Sequence, residues 1–167
     1  MSLQNSQKTE LPFLAGLGSS GEPVFESLEV EILLDNPDLV RLMKSPLLTR
    51  SLAAGDTLKV LNPETAEYEI ISRSGNLCIR VFDATEKLEI EQNLTSNLEK
   101  LGGSLDLQTE RALVYSIHVS IGFQTIEKLF NDACGDNPDT VWYYGNVYDP
   151  EDGITPLEWW LDFDPQK

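Results

Sequence analysis

Histidine is nearly missing from this chain: His118 is the only one in 167 residues. Cysteine occurs twice, at Cys78 and Cys134, far apart and in no metal-ligand spacing. A zinc site built from His and Cys needs about four such ligands, so that class is excluded. Two buried thiols fit this usage better than a disulfide, because free Cys behaves as a small apolar residue, and sparse Cys suits a reducing compartment. No hydrophobic run approaches the ~20 residues of a membrane span. The early apolar stretch Leu11–Ala15 is too short and lacks the basic flank of a secretory signal. The expected location is therefore the cytoplasm.

The most informative absence is local. From Leu129 to Gln166 there is no Lys or Arg, while nine acidic residues occur: Asp132, Asp136, Asp139, Asp149, Glu151, Asp152, Glu158, Asp162 and Asp164. This segment supplies −9 of the formal net charge of −16. Such a field repels nucleic acid and anionic membrane and attracts basic proteins. Expected partners are accordingly basic proteins, with no nucleic acid and no membrane. Hydrophobic content of 41% and charged content of 24% otherwise describe an ordinary globule. A chain of this length buries roughly 70% of its unfolded surface, so its core needs no metal or disulfide.

Periodicity divides the chain into three. Residues 1–22, rich in Ser, Gly, Gln and Pro, read as a flexible leader. Residues 23–82 read as a strand-rich subdomain. Leu28, Val30, Ile32 and Leu34 alternate with Glu29, Glu31 and Leu33, and further short strands are predicted at 39–43, 57–61, 67–73 and 77–82. Asn36-Pro37-Asp38, Asn62-Pro63-Glu64 and Ser74-Gly75-Asn76 punctuate them, the last as a hairpin link. Residues 83–167 change period. Leu88, Glu91, Leu94, Leu98 and Leu101 make a helical stripe, with Asp83 or Thr85 as cap, Glu86 in the first turn and Gly102-Gly103 as stop. Leu113–Val119 alternate as a strand, and Phe123, Ile126, Leu129, Phe130 and Ala133 form a second helix stopped at Gly135. Strands are expected again at 141–147 and 157–163. The predicted fold is α+β: a small bent sheet or partial barrel, then a ferredoxin-like sheet with two helices on one face.

Chemical motifs are few. His118 alternates with Ser116 and Ser120 on one strand face, which is ordinary alternation and not a nucleophile–base pair with an orienting group. Asp149-Pro150-Glu151-Asp152-Gly153 fails as a calcium loop: with Gly153 sixth, positions one, three and twelve are Tyr148, Pro150 and Trp159. It reads as a polar turn. Gly16-Leu17-Gly18-Ser19-Ser20-Gly21 matches a dinucleotide fingerprint only in letters, with no strand before it and no helix after. No cofactor and no metal are expected. Carboxylate pairs suited to glycoside hydrolysis arise by chance in so acidic a chain.

Some segments resemble a known family. Leu52-Ala53-Ala54-Gly55-Asp56, then Arg73-Ser74-Gly75-Asn76 leading to Ile79-Arg80-Val81, are similar to the bacterial family called Domain of Unknown Function 4265. Leu101-Gly102-Gly103 and Val141-Trp142-Tyr143-Tyr144 stand where that family has a Gly-ended helix and an aromatic strand. The resemblance covers residues 26–148, implies the two-part layout and carries no activity. The second half also resembles, more faintly, small acidic bacterial proteins that inhibit ribonucleases.

The aromatic–acid surface remains as the functional expectation. Strand alternation over 157–163 sends Trp159 and Phe163 inward and Trp160 outward among carboxylates. Pairing with the preceding strand sets Trp160 beside Trp142, Tyr144 and Tyr148. These four are the expected anchors, and Asp149, Asp152, Glu158 and Asp162 the expected steering charges. The rival reading covers Trp142 and Tyr144 with the helices. The expected function is a non-enzymatic binding module that neutralises a basic bacterial partner, as an immunity protein or antitoxin does. Alternatives are an inhibitor or adaptor of a host nuclease, and a carboxylate-based hydrolase.

Overall fold

The computed structural model describes residues 6–84, 90–135 and 137–163. It is α+β and holds two antiparallel sheets and two helices among those residues. The first sheet is a meander in sequence order: β1 (Ser6–Leu17), β2 (Pro23–Leu33), β3 (Leu39–Leu42), β4 (Thr57–Asn62) and β5 (Glu67–Ser72). Its inward residues Phe13, Leu28, Val30, Val40, Leu42 and Leu58 form one core cluster with Leu52 of the β3–β4 connection. The sheet is open and does not close into a barrel.

The leader expected at 1–22 is corrected by β1. Residues 6–17 pair antiparallel with β2, from Ser6 opposite Leu33 to Leu17 opposite Pro23. Pro12 and the small residues that suggested a leader are tolerated because β1 is an edge strand, the place in a sheet that accommodates proline. Phe13 buries completely and meets Tyr68 of β5 edge-on at 5.2 Å.

The second sheet contains β6 (Asn76–Asp83), β7 (Ser104–Gln108), β8 (Ala112–His118) and β9 (Thr140–Tyr144), in the order β7-β8-β6-β9. With α1 (Glu91–Lys100) after β6 and α2 (Phe123–Cys134) after β8, this is the βαββαβ ferredoxin-like arrangement. Leu94 and Leu98 of α1 and Ile126, Phe130 and Cys134 of α2 pack on Leu77, Ile79, Val81, Leu113, Tyr115 and Ile117 of the sheet. Both helices thus cover one face. Asp83 ends β6 and does not cap α1, whose N-cap position is Ile90. Thr85, Glu86 and Leu88 lie outside the described residues.

Three further expectations change. The strand at 77–82 is β6 and belongs to the second sheet, so the break between the halves falls at 73–75 and the predicted β5–β6 hairpin does not form. The strand at 157–163 is instead a 3-10 turn, Trp159–Phe163, preceded by the single bridge Tyr148–Pro156. The fourth strand of the ferredoxin-like sheet is β7, which sequence periodicity missed. It is a short edge strand with a bulge between Leu105 and Leu107 that breaks its alternation.

The sheet's other face is not solvated. Residues 43–56, which join β3 to β4, lie across it: Ala53 and Leu47 pack with Cys78 and Val114. This explains why β6 and β8 are buried almost throughout. Among the described residues, no helix is long and apolar enough to cross a membrane.

Candidate functional site

The sequence motifs of the two halves meet where β5 leaves the first sheet and β6 enters the second. Asp56 is buried. Its Oδ2 accepts from Ala53 N at 3.0 Å and its Oδ1 from Ser74 N at 2.9 Å. Burial raises its carboxyl above the ordinary range, against the lowering effect of those N–H bonds and of the Arg73 charge. The Ser74 hydroxyl and Asn76 Nδ2 both donate to Ala54 O, at 2.7 and 2.9 Å. Gly55 has φ +90°, and a Cβ there would sit 2.7 Å from Ser74 Cβ; Gly75 has φ +95°, and a Cβ there would run into the His118 ring. Both sites need glycine for conformation and for space.

Arg73 closes this joint from outside. Its Nη1 and Nη2 donate to Ser51 O and Oγ at 2.9 and 3.0 Å, and its guanidinium carbon lies 5.6 Å from the centre of the Trp159 ring. That is cation–π range. Burial draws the guanidinium down from its usual value, offset by Asp56 and Tyr68. Ser51 (φ 71°) and Glu158 (φ 63°) are both held in the left-handed region, on either side of this contact. Asp162, with Arg73, Trp159 and Phe163, lines a groove here.

The expected anchors are distributed differently from prediction. Trp142 and Tyr144 face the helices, as the rival reading had it: Trp142 Nε1 donates to Asn131 Oδ1 at 2.9 Å and the Tyr144 hydroxyl to Glu127 Oε2 at 2.9 Å. Burial, then the Glu127 bond and charge, raises the Tyr144 hydroxyl well above its ordinary value. Trp160 is half-buried, edge-on to Phe123 at 5.3 Å and to Trp159 at 5.7 Å. The predicted outward alternation fails because a 3-10 turn does not send neighbours to opposite faces. A run of touching rings results: Phe130, Trp142, Tyr144, Phe123, Trp160, Trp159, Phe163 and His118, each 5.2 to 5.9 Å from the next. Trp159 is buried, as predicted, and its Nε1 donates to Asn146 O at 2.8 Å.

Tyr148 remains exposed, as do Ile154, which the sequence did not single out, and Leu161, which strand alternation placed inward with Trp159. Asp149 and Asp152 are committed to the turn between them. Asp149 Oδ1 accepts from Glu151 N at 2.8 Å. Asp152 accepts from the N–H groups of Ile154 and Thr155, both at 2.9 Å, and from the Thr155 hydroxyl at 2.5 Å. The Thr155 hydroxyl, then the two N–H groups, hold its carboxyl below the ordinary range. Glu158 is exposed. Asp136 and Asp164 lie outside the described residues. His118 Nδ1 pairs with Ser120 Oγ at 2.8 Å and accepts from Ser120 N at 3.1 Å, capping the turn after β8.

The sequence reading missed Arg73 and Ser51 as partners. The signal was present in the paired motifs around Gly55-Asp56 and Arg73-Ser74-Gly75-Asn76, whose meeting only the topology reveals.

Comparison with known proteins adds the fold and the family. A hypothetical protein from Neisseria gonorrhoeae, known from a crystal structure, is similar at a TM-score of 0.66 with 16% identity, over 83% of this chain and 94% of that one. A likeness at that identity concerns the fold alone. No curated protein matches the chain. The model of the family described as Domain of unknown function (DUF4265) matches residues 26–137, which contain both halves of the joint. The chain belongs to that family.

Proposed function

We propose that this protein is a non-enzymatic binding module whose C-terminal loop takes up a basic protein partner, in the manner of an immunity protein or antitoxin. The observation that carries the reading is the loop 148–163. It exposes Tyr148, Ile154 and Leu161 amid Asp149, Glu151, Asp152, Glu158 and Asp162 in a stretch without Lys or Arg. The Asp149 and Asp152 turns, the Tyr148–Pro156 bridge and the Trp159–Asn146 bond brace it. A braced loop loses less conformational freedom on binding than a floppy one. Tyr148 would anchor, with Ile154 and Leu161 beside it. Trp142, Tyr144 and Trp160 would act from behind, as the ring stack on which the loop rests. The carboxylates would speed encounter with a cationic surface and order its approach.

The test is capture from a lysate of the native host at low and high salt. A basic protein should be retained at low salt and lost at high salt. Changing Tyr148→Ala with Ile154→Ala should cut its affinity about tenfold or more. Changing Glu151→Lys with Glu158→Lys should slow association. Equal capture by the wild type and both double variants would overturn the assignment of the surface.

A further inference from the structure

Glu26 reaches from β2 to the connection between β3 and β4, and there both oxygens of its carboxylate are held. Oε2 accepts from Leu47 N at 2.9 Å and Leu48 N at 3.1 Å. Oε1 accepts from Leu48 N at 3.2 Å, Thr49 N at 2.7 Å and the Thr49 hydroxyl at 2.6 Å. Three consecutive N–H groups and one O–H thus converge on one anion. Successive backbone N–H groups arranged this way form an anion-binding concavity. Two carbonyls of the same segment meet a cation instead. Pro46 O accepts from Arg80 Nε at 3.1 Å and Thr49 O from Arg80 Nη2 at 2.6 Å. Arg80 is 4% exposed. The Pro46–Leu47 peptide unit therefore lies between a buried cation and the carboxylate, its carbonyl toward Arg80 and its N–H toward Glu26.

We propose that Pro46–Thr49 is a carboxylate-binding site in which Glu26 is the resident ligand, and that a free carboxylate takes its place when Glu26 is withdrawn. The ligand class follows from how the donors are shared. They serve the two oxygens of one planar group, Leu47 N on one, Thr49 N and Oγ1 on the other, and Leu48 N between them. Arg80 behind the loop supplies the charge that a neutral turn lacks, and it does so without touching the ligand. Glu26 is half-buried and the adjoining Leu48 is 47% exposed, so the site opens to solvent. The site is independent of the C-terminal loop, and its failure would leave the reading of that loop untouched.

The experiment uses the full chain with Glu26→Ala and sodium acetate as the probe, with sodium chloride at matched ionic strength. Acetate should shift the backbone amide resonances of Leu47, Leu48 and Thr49 saturably in the variant. It should also raise its unfolding temperature by about 2–4 °C near saturation. Chloride should do neither, and the wild type, already self-ligated, should be indifferent to both. Silent amides in the variant, or equal shifts in the wild type, would overturn the site. Equal potency of inorganic phosphate would overturn the carboxylate assignment. Should Glu26→Ala unfold in chloride, acetate must restore cooperative unfolding, and the strand-favouring Glu26→Thr, whose side chain is too short to fill the site, must show the same amide shifts; failure of either counts against the proposal.

Discussion

At the scale of single residues, buried polar groups hold this protein in one arrangement, and each makes a checkable demand. Cys78 is fully buried, and burial pushes its thiol up to about 11, against the lowering effect of Arg80. Because the thiolate is the reactive form, Cys78 should resist alkylation by iodoacetamide at pH 8 in native protein and react promptly in denaturant. Labelling at equal rates in both states would contradict its placement. Asp56 makes a demand on pH. Its folded-state pKa is raised, so the native state holds that proton more tightly than the unfolded chain. The stabilisation this proton provides is fully present below the unfolded value of 3.8 and is lost as pH rises through the higher folded value. In urea titrations over that window, the stability of wild type relative to Asp56→Asn should fall as pH rises. Gly145 is a third case. A Cβ there would stand 2.8 Å from Cys78 Sγ and 3.0 Å from Arg80 Cζ, so Gly145→Ala should cost about 1–3 kcal/mol by overpacking.

At the scale of elements, helix α2 carries the ring stack and the core together. Phe130 is fully buried and touches Tyr115 at 5.7 Å and Trp142 at 5.3 Å. Phe130→Ala should destabilise by about 3–5 kcal/mol in equilibrium denaturation, and it should quench or shift the fluorescence of Trp142. The elements also show what a sequence can disclose. Strongly periodic segments such as β2 and α2 were legible because each buries one regular face, and β8 because it is a short apolar run bounded by turn signals. The acidic loop was legible as composition. The 3-10 turn at Trp159–Phe163 was not, because its Leu-Glu-Trp-Trp-Leu letters alternate well enough to mimic a strand. The mates of β6 were likewise hidden. Ser74-Gly75-Asn76 is good hairpin chemistry, but Gly75 serves an approach to His118 and the chain passes on into another sheet. β1 was hidden for the converse reason, since an edge strand tolerates the proline and polar residues that argue for a loop.

At the scale of the molecule, the charge is uneven and the structure places it. Acid crowds the exposed loop after β9. Arg73 and Arg80, by contrast, are tied to the β3–β4 connection, Arg73 through Ser51 O and Oγ and Arg80 through Pro46 O and Thr49 O. Glu151, Asp152, Glu158 and Asp162 stand exposed, where dissolved ions screen them. Salt should therefore act on partner capture far more than on stability, which unfolding at low and high ionic strength can compare directly.

The connection laid across the second sheet has a consequence for synthesis on the ribosome. Every strand of the meander pairs with its neighbour in sequence, so that half is rich in local contacts and can form quickly as it emerges. The β6–β9 pair, by contrast, joins Asp83 to Thr140 across the whole second half and must close late. Since 43–56 is made before β6, the cover for Cys78, Arg80 and Val114 is already waiting when that strand appears. The nascent second half can therefore assemble against chain already made, which shortens the time that face stands open.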